Sequence, residues 1–414
     1  MAASTFRFAL GPSAVLLALF TTAARAQTPT PTAAAATSPA VQCGIDVLAA
    51  NGCAPLRGRK VGLITNHTGR TRSGQRSVDV LHQADGVQLV ALFSPEHGWD
   101  GALDDKVADT IDRTTGLRVY SLYGETRRPT DPMLEGVDTL VFDIQDAGCR
   151  FYTYLATMRN ALEVAAAKGL RFVVLDRPNP LGGVRMEGPV LDAERQDFVG
   201  AHRVPLRHGL TAGELARMIV GEDGVQVDLQ VVRCEGWHRA DTFDRTGLPW
   251  IAPSPNLRRL SQALTYPGIG LLEGTNLSVG RGTDTPFEIL GAPWLDGQRL
   301  AAALRAAELP GVAFVPVQFT PTASKFQGES CGGVHVLVTD WQTFEPVRTG
   351  VQVALCLRAL HPDAWDTGKL DWLLKHEPTR SAILAGTPIE RIVAGWREEL
   401  ELFRLRRKPF LLYE

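Results

Sequence analysis

The sequence predicts an α/β protein: a Rossmann-like, doubly wound, mostly parallel sheet followed by a second, smaller α+β domain. From Lys60 onward, apolar runs rich in Val, Ile and Leu alternate with amphipathic segments. This alternation is typical of a parallel sheet covered by helices on both faces. After residue 258 the chain becomes rich in Gly and Pro before further helix and strand patterns follow. A length of 414 residues also fits two domains.

The elements of the first domain follow one another in a regular order. Two helices are predicted, "SVDVLHQAD" after the first strand and "YLATMRNALEVAAAKG" after the fourth. The second helix should end at Gly169, because glycine commonly follows the last turn of a helix. The predicted strands, each with its polar exit, are "KVGLITNHTG", "VQLVALFSPEHG", "LRVYSLYGE", "VDTLVFDIQDAG" and "LRFVVLDRPNP".

The second domain begins with "YPGIGLLEGTNLSVGRGTDTPFEILGAPW", whose many glycines and prolines predict a loop. A helix over "DGQRLAAALRAAE" and strands over "VAFVPVQFTP" and "GGVHVLVTD" come next, and further helices follow up to the C-terminus. We therefore place the catalytic domain at residues 43–258 and the smaller domain at residues 259–414.

The first 26 residues have the pattern of a secretory signal peptide. Arg7 precedes a short apolar run, and Ala24-Arg25-Ala26 fits the small-x-small cleavage rule. The apolar run is too short to remain as a membrane span. Residues 27–42 are rich in Pro, Thr and Ala and should form a flexible leader. These features predict a periplasmic or secreted protein without a membrane span after cleavage.

Composition and motifs argue against several classes of protein. A formal charge of −2 gives no support to nucleic-acid binding. The chain has no GxGxxG, P-loop or GxSxG pattern and no zinc-type Cys/His spacing, so we predict no cofactor and no metal. Six cysteines in an oxidising compartment could pair, with Cys43 and Cys53 the most favourable local pair, although sequence cannot fix the connectivity.

Polar side chains follow almost every predicted strand of the first domain. Because the carboxyl ends of parallel strands meet at one edge of a sheet, we expect these side chains to converge on one crevice. Carboxylates, amides and aromatic rings together suit a sugar, whose glycosidic bond needs an acid and a second group for cleavage. The strand-exit residues are Asn66, His67, Glu96, His97, Asp143, Gln145, Asp146, Arg177 and Asn179, with Arg150 and Tyr152 close by.

A second cluster lies in the Gly-rich stretch, where Glu273, Asn276 and Arg281 occur close together. They could form a substrate loop over the crevice or simply a surface loop rich in turn residues. Arg281 could clamp an anionic group, and Asn256 in "PSPNLRRL" could act similarly. A metal-dependent hydrolase or esterase using the same carboxylates as ligands remains an alternative, and so does a non-catalytic protein that binds cell-wall sugars.

The motifs "VGLITNHTGRT", "LFSPEHG", "VFDIQDAGCRFYTY", "LDRPNPLGG", "RHGLTAGELA" and "YPGIGLLEGTNLSVGRGT" resemble, in the same order, those of the exo-β-N-acetylmuramidase family of peptidoglycan hydrolases. The resemblance covers Cys43 to Glu414. It implies release of N-acetylmuramic acid from the non-reducing ends of peptidoglycan fragments, in a cleft where the two domains meet. It also implies that Glu96, in the "SPEHG" motif, is the catalytic candidate.

The types of the candidate residues also fit this activity, and each can be assigned a chemical role. We assign Glu96 as general acid, with Asp143 or Glu273 in the second catalytic role. Alternatively, the 2-acetamido group of the substrate attacks, and Asp143 or Asp146 orients it. The lactyl carboxylate of muramic acid needs a cation, for which Arg281, Arg150 and Arg177 are the candidates. His97, Gln145 and Asn276 would position the sugar of a peptidoglycan-derived muropeptide or disaccharide.

Overall fold

The protein is described here by a computed structural model covering residues 1–3, 5, 9, 40–103 and 106–414. The predicted signal peptide (1–26) and leader (27–42) lie almost wholly outside these described residues. Residues 40–103 and 106–414 form one compact unit. Within the described residues, no helix is both long enough and apolar enough to span a membrane. The predicted division into domains at residues 258 and 259 stays a prediction.

Helices and strands alternate through the first half of the described chain. The α-helices are α1 (Gly44–Ala50), α2 (Ser77–Gln83), α3 (Tyr154–Lys168), α4 (Ala212–Asp223), α5 (Leu260–Ile269), α6 (Gly297–Ala306), α7 (Pro346–Leu360), α8 (Asp371–Leu374), α9 (Glu377–Leu384) and α10 (Ile389–Arg407). The strands are β1 (Lys60–Thr65), β2 (Gln88–Ser94), β3 (Thr110–Ile111), β4 (Arg118–Ser121), β5 (Thr139–Asp143), β6 (Arg171–Leu175), β7 (Glu187–Val190), β8 (Pro205–Arg207), β9 (Asp228–Val232), β10 (Ile289–Ala292), β11 (Val312–Phe319) and β12 (Cys331–Val338).

The central sheet has seven strands in the order β3-β4-β2-β1-β5-β6-β9. Only β3 pairs antiparallel, with β4; every other neighbouring pair is parallel. The chain leaves β1 in one direction towards β2 and β4, and in the other towards β5, β6 and β9. This reversal of strand order creates a topological switch point beside β1, where ligands of doubly wound folds bind. The predicted parallel α/β sheet is confirmed.

Both faces of this sheet are buried, which explains its continuous apolar runs. On β5, Val141 packs in the cluster that contains Ile45 and Leu48 of α1. Its neighbours Leu140 and Phe142 point to the opposite face, into the larger core that includes α3 and α4. Because successive side chains of a strand alternate between faces, a strand covered on both sides needs apolar residues at every position.

The second half of the chain contributes a smaller antiparallel sheet in the order β10-β12-β11. Its helices share the large core of the first half: Leu300 of α6, Val351 of α7 and Trp396 of α10 belong to the same cluster as Phe142. A further two-stranded antiparallel sheet pairs β7 with β8. The predicted smaller α+β part is therefore confirmed.

The structure corrects the prediction that the Gly- and Pro-rich stretch is a loop throughout, because the stretch begins in α5 and contains β10 near its end. Its beginning, Tyr266 to Ile269, forms the last turn of α5 and includes Pro267. The composition reflects close helix packing: a Cβ atom on Gly268 would lie 1.8 Å from the carbonyl oxygen of Pro346 at the start of α7. Gly268 thus permits two helices to approach at backbone distance, a tertiary requirement that resembles a turn signal in the sequence.

Candidate active site

Glu96 and His97 lie in the turn that follows β2 at the carboxyl edge of the central sheet. His97 has a φ of +69° and Gly98 one of +77°, so the backbone reverses sharply directly after Glu96. Left-handed backbone is uncommon for a residue with a side chain. The Nδ1 atom of His97 lies 2.7 Å from the carbonyl oxygen of Leu103, to which it donates a hydrogen bond that holds this turn. The strained turn fixes where the Glu96 carboxylate points.

Glu96 reaches across to the beginning of α3. Its Oε2 atom accepts a hydrogen bond from the hydroxyl of Thr153, the N-cap residue of α3. The amino end of a helix carries partial positive charge, which attracts a carboxylate. Two elements, the β2 turn and the α3 start, therefore position one carboxylate.

Three tyrosine rings form a cluster beside His97, the residue after Glu96, with the ring of Tyr154 6.4 Å from that of His97. The ring of Tyr152 packs edge-on against Tyr154, with 4.7 Å between centroids, and lies 6.0 Å from the ring of Tyr266. Tyr154 donates its hydroxyl to the carbonyl of Pro253 and accepts a hydrogen bond from Asn66, 3.1 Å away. Burial raises the pKa of all three phenols, so they stay neutral over the physiological range. Tyr152 and Tyr266 present apolar rings with polar tips, which suit the face of a sugar, and Tyr154 packs against Tyr152 from the interior.

Glu96 opens into a cavity of about 640 Å³, which we call the first cavity. This volume lies within the range of pockets that enclose small molecules. Its walls come from both halves of the chain. The lining residues are Glu96, His97, Tyr123, Arg127, Phe151, Tyr152, Thr153, Asp197, Phe198, Val199, Ser254, Asn256, Leu257, Tyr266, Glu273, Arg281, Gly282, Phe287, Ala323, Ser324, Trp372 and Leu373.

The wall from the second half of the chain carries an ion pair. The guanidinium of Arg281 donates two hydrogen bonds to the carboxylate of Glu273, the longer of them 3.3 Å from Nη2 to Oε2. Arg281 also lies over the ring of Phe287, 5.3 Å from its centroid. Lys325 donates to the backbone carbonyls of Glu273 and Thr275. One carboxylate and one cation therefore stand at this wall, and Lys325, which is outside the lining of the first cavity, holds the backbone that carries Glu273.

Six of the residues proposed from the sequence line the first cavity: Glu96, His97, Tyr152, Asn256, Glu273 and Arg281. Of the strand exits predicted to converge on one crevice, the turn after β2 therefore reaches the first cavity. Asn256 and the pair Glu273–Arg281 come from segments far along the chain, which tertiary folding brings to the same space.

Asp143 does not reach the first cavity. Its carboxylate is fully buried, accepts two hydrogen bonds from Arg177, 2.7 and 3.0 Å away, and accepts another from Ser77. Burial lowers the pKa of Arg177, but the nearby charge of Asp143 outweighs burial and leaves that pKa raised. These contacts show that Asp143 and Arg177 form a structural ion pair, which joins the end of β5 to the segment after β6.

Other strand-exit residues are outside the lining of the first cavity and are bound to the backbone. The Nε2 atom of His67 lies 2.7 Å from the carbonyl oxygen of Ala252. Gln145 donates to the carbonyls of Asp146 and Pro178, and Asn179 donates to that of Leu210. Their polar groups hold the loops on which the site is built.

Asp146 meets His208 in the interior, with Nε2 of the histidine 3.9 Å from Oδ2 of the carboxyl group. Burial raises the pKa of Asp146 to about 7 and lowers that of His208 to about 3. Both groups therefore favour their neutral forms in weakly acidic solution. The pair lies outside the lining of the first cavity.

Arg150 and Asn276 are placed elsewhere. Arg150 is buried and donates to backbone carbonyls of Pro189, Val204, Leu373 and Leu374. Asn276 donates to the carbonyl of Ala364 and accepts from the amide of Asp366. Neither lines the first cavity. Arg150 instead joins β7, the start of β8 and α8, the helix that carries Trp372.

Sequence reasoning missed several residues of this site. Thr153 stands between the tyrosines of the "YTY" motif, so its position directly after the candidate Tyr152 was an available signal. Tyr266 lay in the stretch assigned to a loop. Arg127 stacks on Phe198, with 4.1 Å from its guanidinium carbon to the ring centroid, and no local motif marks either residue.

No group of three or more His, Cys, Asp or Glu side chains that could hold a metal ion occurs within the described residues.

Family models place the chain among known proteins. The model described as exo-beta-N-acetylmuramidase NamZ, N-terminal, matches residues 61–261, and the corresponding C-terminal model matches residues 264–413. This chain belongs to the NamZ family. The peptidoglycan beta-N-acetylmuramidase NamZ of Bacillus subtilis (strain 168) is 45% identical over 383 residues, which cover 91% of this chain and 92% of that relative. The family resemblance inferred from the motifs is confirmed.

Solved structures show the same fold. Two DUF1343 family proteins from Bacteroides fragilis NCTC 9343 superpose on the chain with TM-scores of 0.84 and 0.75, at 37% and 30% sequence identity. In each case the match covers 90% of this chain and 99% of the other chain. The whole Rossmann-like arrangement with its smaller part is therefore shared.

Proposed function

We propose that this protein is a glycoside hydrolase that releases N-acetylmuramic acid from the non-reducing end of peptidoglycan fragments, an exo-β-N-acetylmuramidase. One observation carries the proposal: the carboxylate of Glu96 is fixed by Thr153 in the wall of an aromatic-lined cavity. Membership of the NamZ family and the curated activity of the Bacillus subtilis relative support it.

In this proposal Glu96 donates a proton to the oxygen of the leaving sugar. A neutral carboxylic acid is required for that step, and glycosidases place one beside the scissile bond. After the bond breaks, the carboxylate of Glu96 keeps the hydrogen bond from Thr153. Thr153 is a positioning residue that holds the acid in one rotamer and stabilises the anion formed by proton transfer.

A residue from the second half of the chain supplies the second role. Of the carboxylates proposed from the sequence for the second role, Glu273 lines the first cavity with Glu96, whereas Asp143 and Asp146 are outside its lining. Glu273 either activates water or orients the 2-acetamido group of the substrate. The positive charge of Arg281 holds Glu273 in place and favours binding of the lactyl carboxylate that distinguishes muramic acid.

We also propose that the protein acts in the periplasm or after secretion. The pattern of a signal peptide over residues 1–26 supports this location. The two family models, which meet between residues 261 and 264, support a division into a catalytic domain and a smaller C-terminal domain.

The proposed activity predicts a defined substrate preference. We expect release of the chromophore from an aryl β-N-acetylmuramide and no release from the matching N-acetylglucosaminide, because only the muramide has the lactyl group. We expect the rate to be unchanged after exhaustive treatment with a chelator. Cleavage of neither substrate, or of both equally, would contradict the proposed specificity. Loss of activity on chelation, restored by a divalent cation, would favour the metal-dependent alternative.

A further inference from the structure

A second cavity of about 840 Å³ adjoins the first and shares three of its lining residues, Asp197, Glu273 and Trp372. The shared residues stand between the two spaces, so a ligand bound beside Glu96 has a route into the second cavity past Glu273. An exo-acting enzyme holds one terminal sugar at the catalytic acid, and the rest of the substrate must extend away from it. The second cavity is the space into which the rest of the substrate can extend.

Trp372 is the exposed aromatic residue at this junction. It lies on α8, with 49% of its surface exposed, although large apolar side chains generally gain free energy from burial. An indole ring presents a flat apolar face, suited to the C–H face of a pyranose, and a polar edge that stays in water. Its exposure where the two cavities meet leaves one face of the ring accessible to a stacked sugar.

The floor around Trp372 is rigid and charged. Arg195 bonds Asp371, the residue before Trp372, and Lys375 bonds Asp197 with 2.6 Å between Nζ and Oδ2. The buried guanidinium of Arg150 donates to the carbonyls of Leu373 and Leu374. These contacts pin α8 on both sides of Trp372, so the indole is presented by a fixed backbone. Rigid presentation lowers the entropy lost when a ligand stacks on it.

We propose that Trp372 and the second cavity form a subsite for the sugar chain on the leaving-group side of the scissile bond. This inference rests on the proposed function and adds to it a preference for longer fragments. The ligand of the subsite is a β-linked amino-sugar chain, bound by stacking on the indole and by the polar groups of the cavity.

The test compares chain lengths. With a muramic-acid-terminated tetrasaccharide, Trp372→Ala is expected to lower kcat/KM at least ten times more than it does with an aryl muramide, mainly through KM. Trp372→Phe, which retains an aromatic face, should recover most of the loss. Leu402→Ala, at a residue 55% exposed on α10, is the matched surface control.

Equal losses on both substrates, or no loss on either, would overturn the subsite. Failure of the proposed function would be seen separately, in a wild-type protein that cleaves neither the aryl muramide nor the tetrasaccharide.

A second, independent observation concerns two cysteines outside the site. Gln42 and Glu235 exchange two backbone hydrogen bonds of 2.9 Å, forming an antiparallel bridge. In an antiparallel bridge the residue after Gln42 faces the residue before Glu235, so Cys43 stands directly opposite Cys234. Cys43 has an extended backbone, with φ −76° and ψ 165°, so the register continues through it. This places the two cysteines as a non-hydrogen-bonded pair, the position next to a hydrogen-bonded one.

The hydrogen bonds of the two residues agree with that position. The amide of Cys43 donates to Asp46 and that of Cys234 donates to the hydroxyl of Tyr413, so neither amide is used in the bridge. Residues of a non-hydrogen-bonded pair have Cα atoms roughly 4.5 Å apart, inside the span of about 4.4–6.8 Å that a disulfide bridges. Burial, and then contact with the Cys43 side chain, raises the pKa of the Cys234 thiol.

We infer that Cys43 and Cys234 form a disulfide when the chain meets an oxidant of the disulfide class. The two S–H bonds break, one S–S bond forms, and two protons and two electrons reduce the oxidant disulfide to two thiols. The structure holds both residues as free thiols, and the expected local pair, Cys43 with Cys53, is not bonded either. The new bond would tie the start of α1 to the exit of β9.

The test counts reactive thiols. Full-length protein equilibrated with oxidised glutathione, then denatured and alkylated without reductant, is expected to leave two of its six cysteines unmodified. Proteolysis should yield one linked peptide pair containing Cys43 and Cys234. In Cys43→Ser every remaining cysteine should react, whereas Cys53→Ser, the control, should still protect two. Alkylation of all six cysteines in the wild type, or protection that persists in Cys43→Ser, would overturn the inference.

Discussion

Glu96→Gln is expected to lower kcat on a natural muramic-acid-terminated disaccharide by about 100- to 10,000-fold, the usual contribution of a positioned general acid. Glutamine can still accept the hydrogen bond from Thr153 but has no proton to give to the leaving oxygen. The loss should be much smaller with a nitrophenyl muramide, because nitrophenolate leaves without protonation. Rates of sugar release and of chromophore release measure the two effects.

The control for Glu96 is Glu401→Gln, an exposed residue of α10 whose partner is Arg404 on the same helix. It should leave both rates unchanged. Equal losses by Glu96→Gln on the two substrates would show that Glu96 acts other than as a general acid. Retention of most turnover on the disaccharide would remove Glu96 from the mechanism altogether.

Asp143→Ala is expected to lower the free energy of unfolding by about 3–5 kcal/mol, the usual result of removing one partner of a buried ion pair. The change leaves the guanidinium of Arg177, only 7% exposed, without its carboxylate. It also removes the acceptor of the Ser77 hydroxyl. Urea denaturation followed by circular dichroism measures the difference.

The matched control for Asp143 is Asp131→Ala, which breaks a surface ion pair with Lys168. Exposed pairs contribute about 0–1 kcal/mol, so its stability should stay close to that of the wild type. Stability and turnover of Asp143→Ala, measured together, also distinguish a structural role of Asp143 from a catalytic one. An Asp143→Ala protein of normal stability without turnover would restore the catalytic role that the sequence proposed for Asp143.

Burial explains why the parallel sheet could be predicted and part of the site could not. The continuous apolar run of β5, which includes Val141 and Phe142, has one local cause, because both faces of the strand are buried. A few neighbouring residues of the sequence are therefore enough to recognise it. Asp143, Gln145 and Asp146 follow the same strand and suggested a site for the same local reason. Which of them faces a cavity depends on neighbours distant in sequence, such as Arg177 and His208.

In helix α5 the local sequence gave the wrong prediction. Pro267 and Gly268 indicate a turn when only the local sequence is considered. The helix forms because Gly268 removes the side chain that would collide with the start of α7. A packing partner about eighty residues away overrides the local preference, and no local pattern contains that information.

The sequence by itself determined the α/β class, the strands β1, β2, β4, β5 and β6 of the central sheet and the family, because each depends on patterns of neighbouring residues. It also selected Glu96, since a carboxylate directly after a buried strand of a parallel sheet falls at the ligand-binding edge. Tertiary structure decided what surrounds that carboxylate. Thr153 meets Glu96 through packing within the first half of the chain. Tyr266, Glu273 and Trp372 join the same space only after the second half packs on the first. Their proximity depends on non-local contacts, which residue spacing along the chain does not encode.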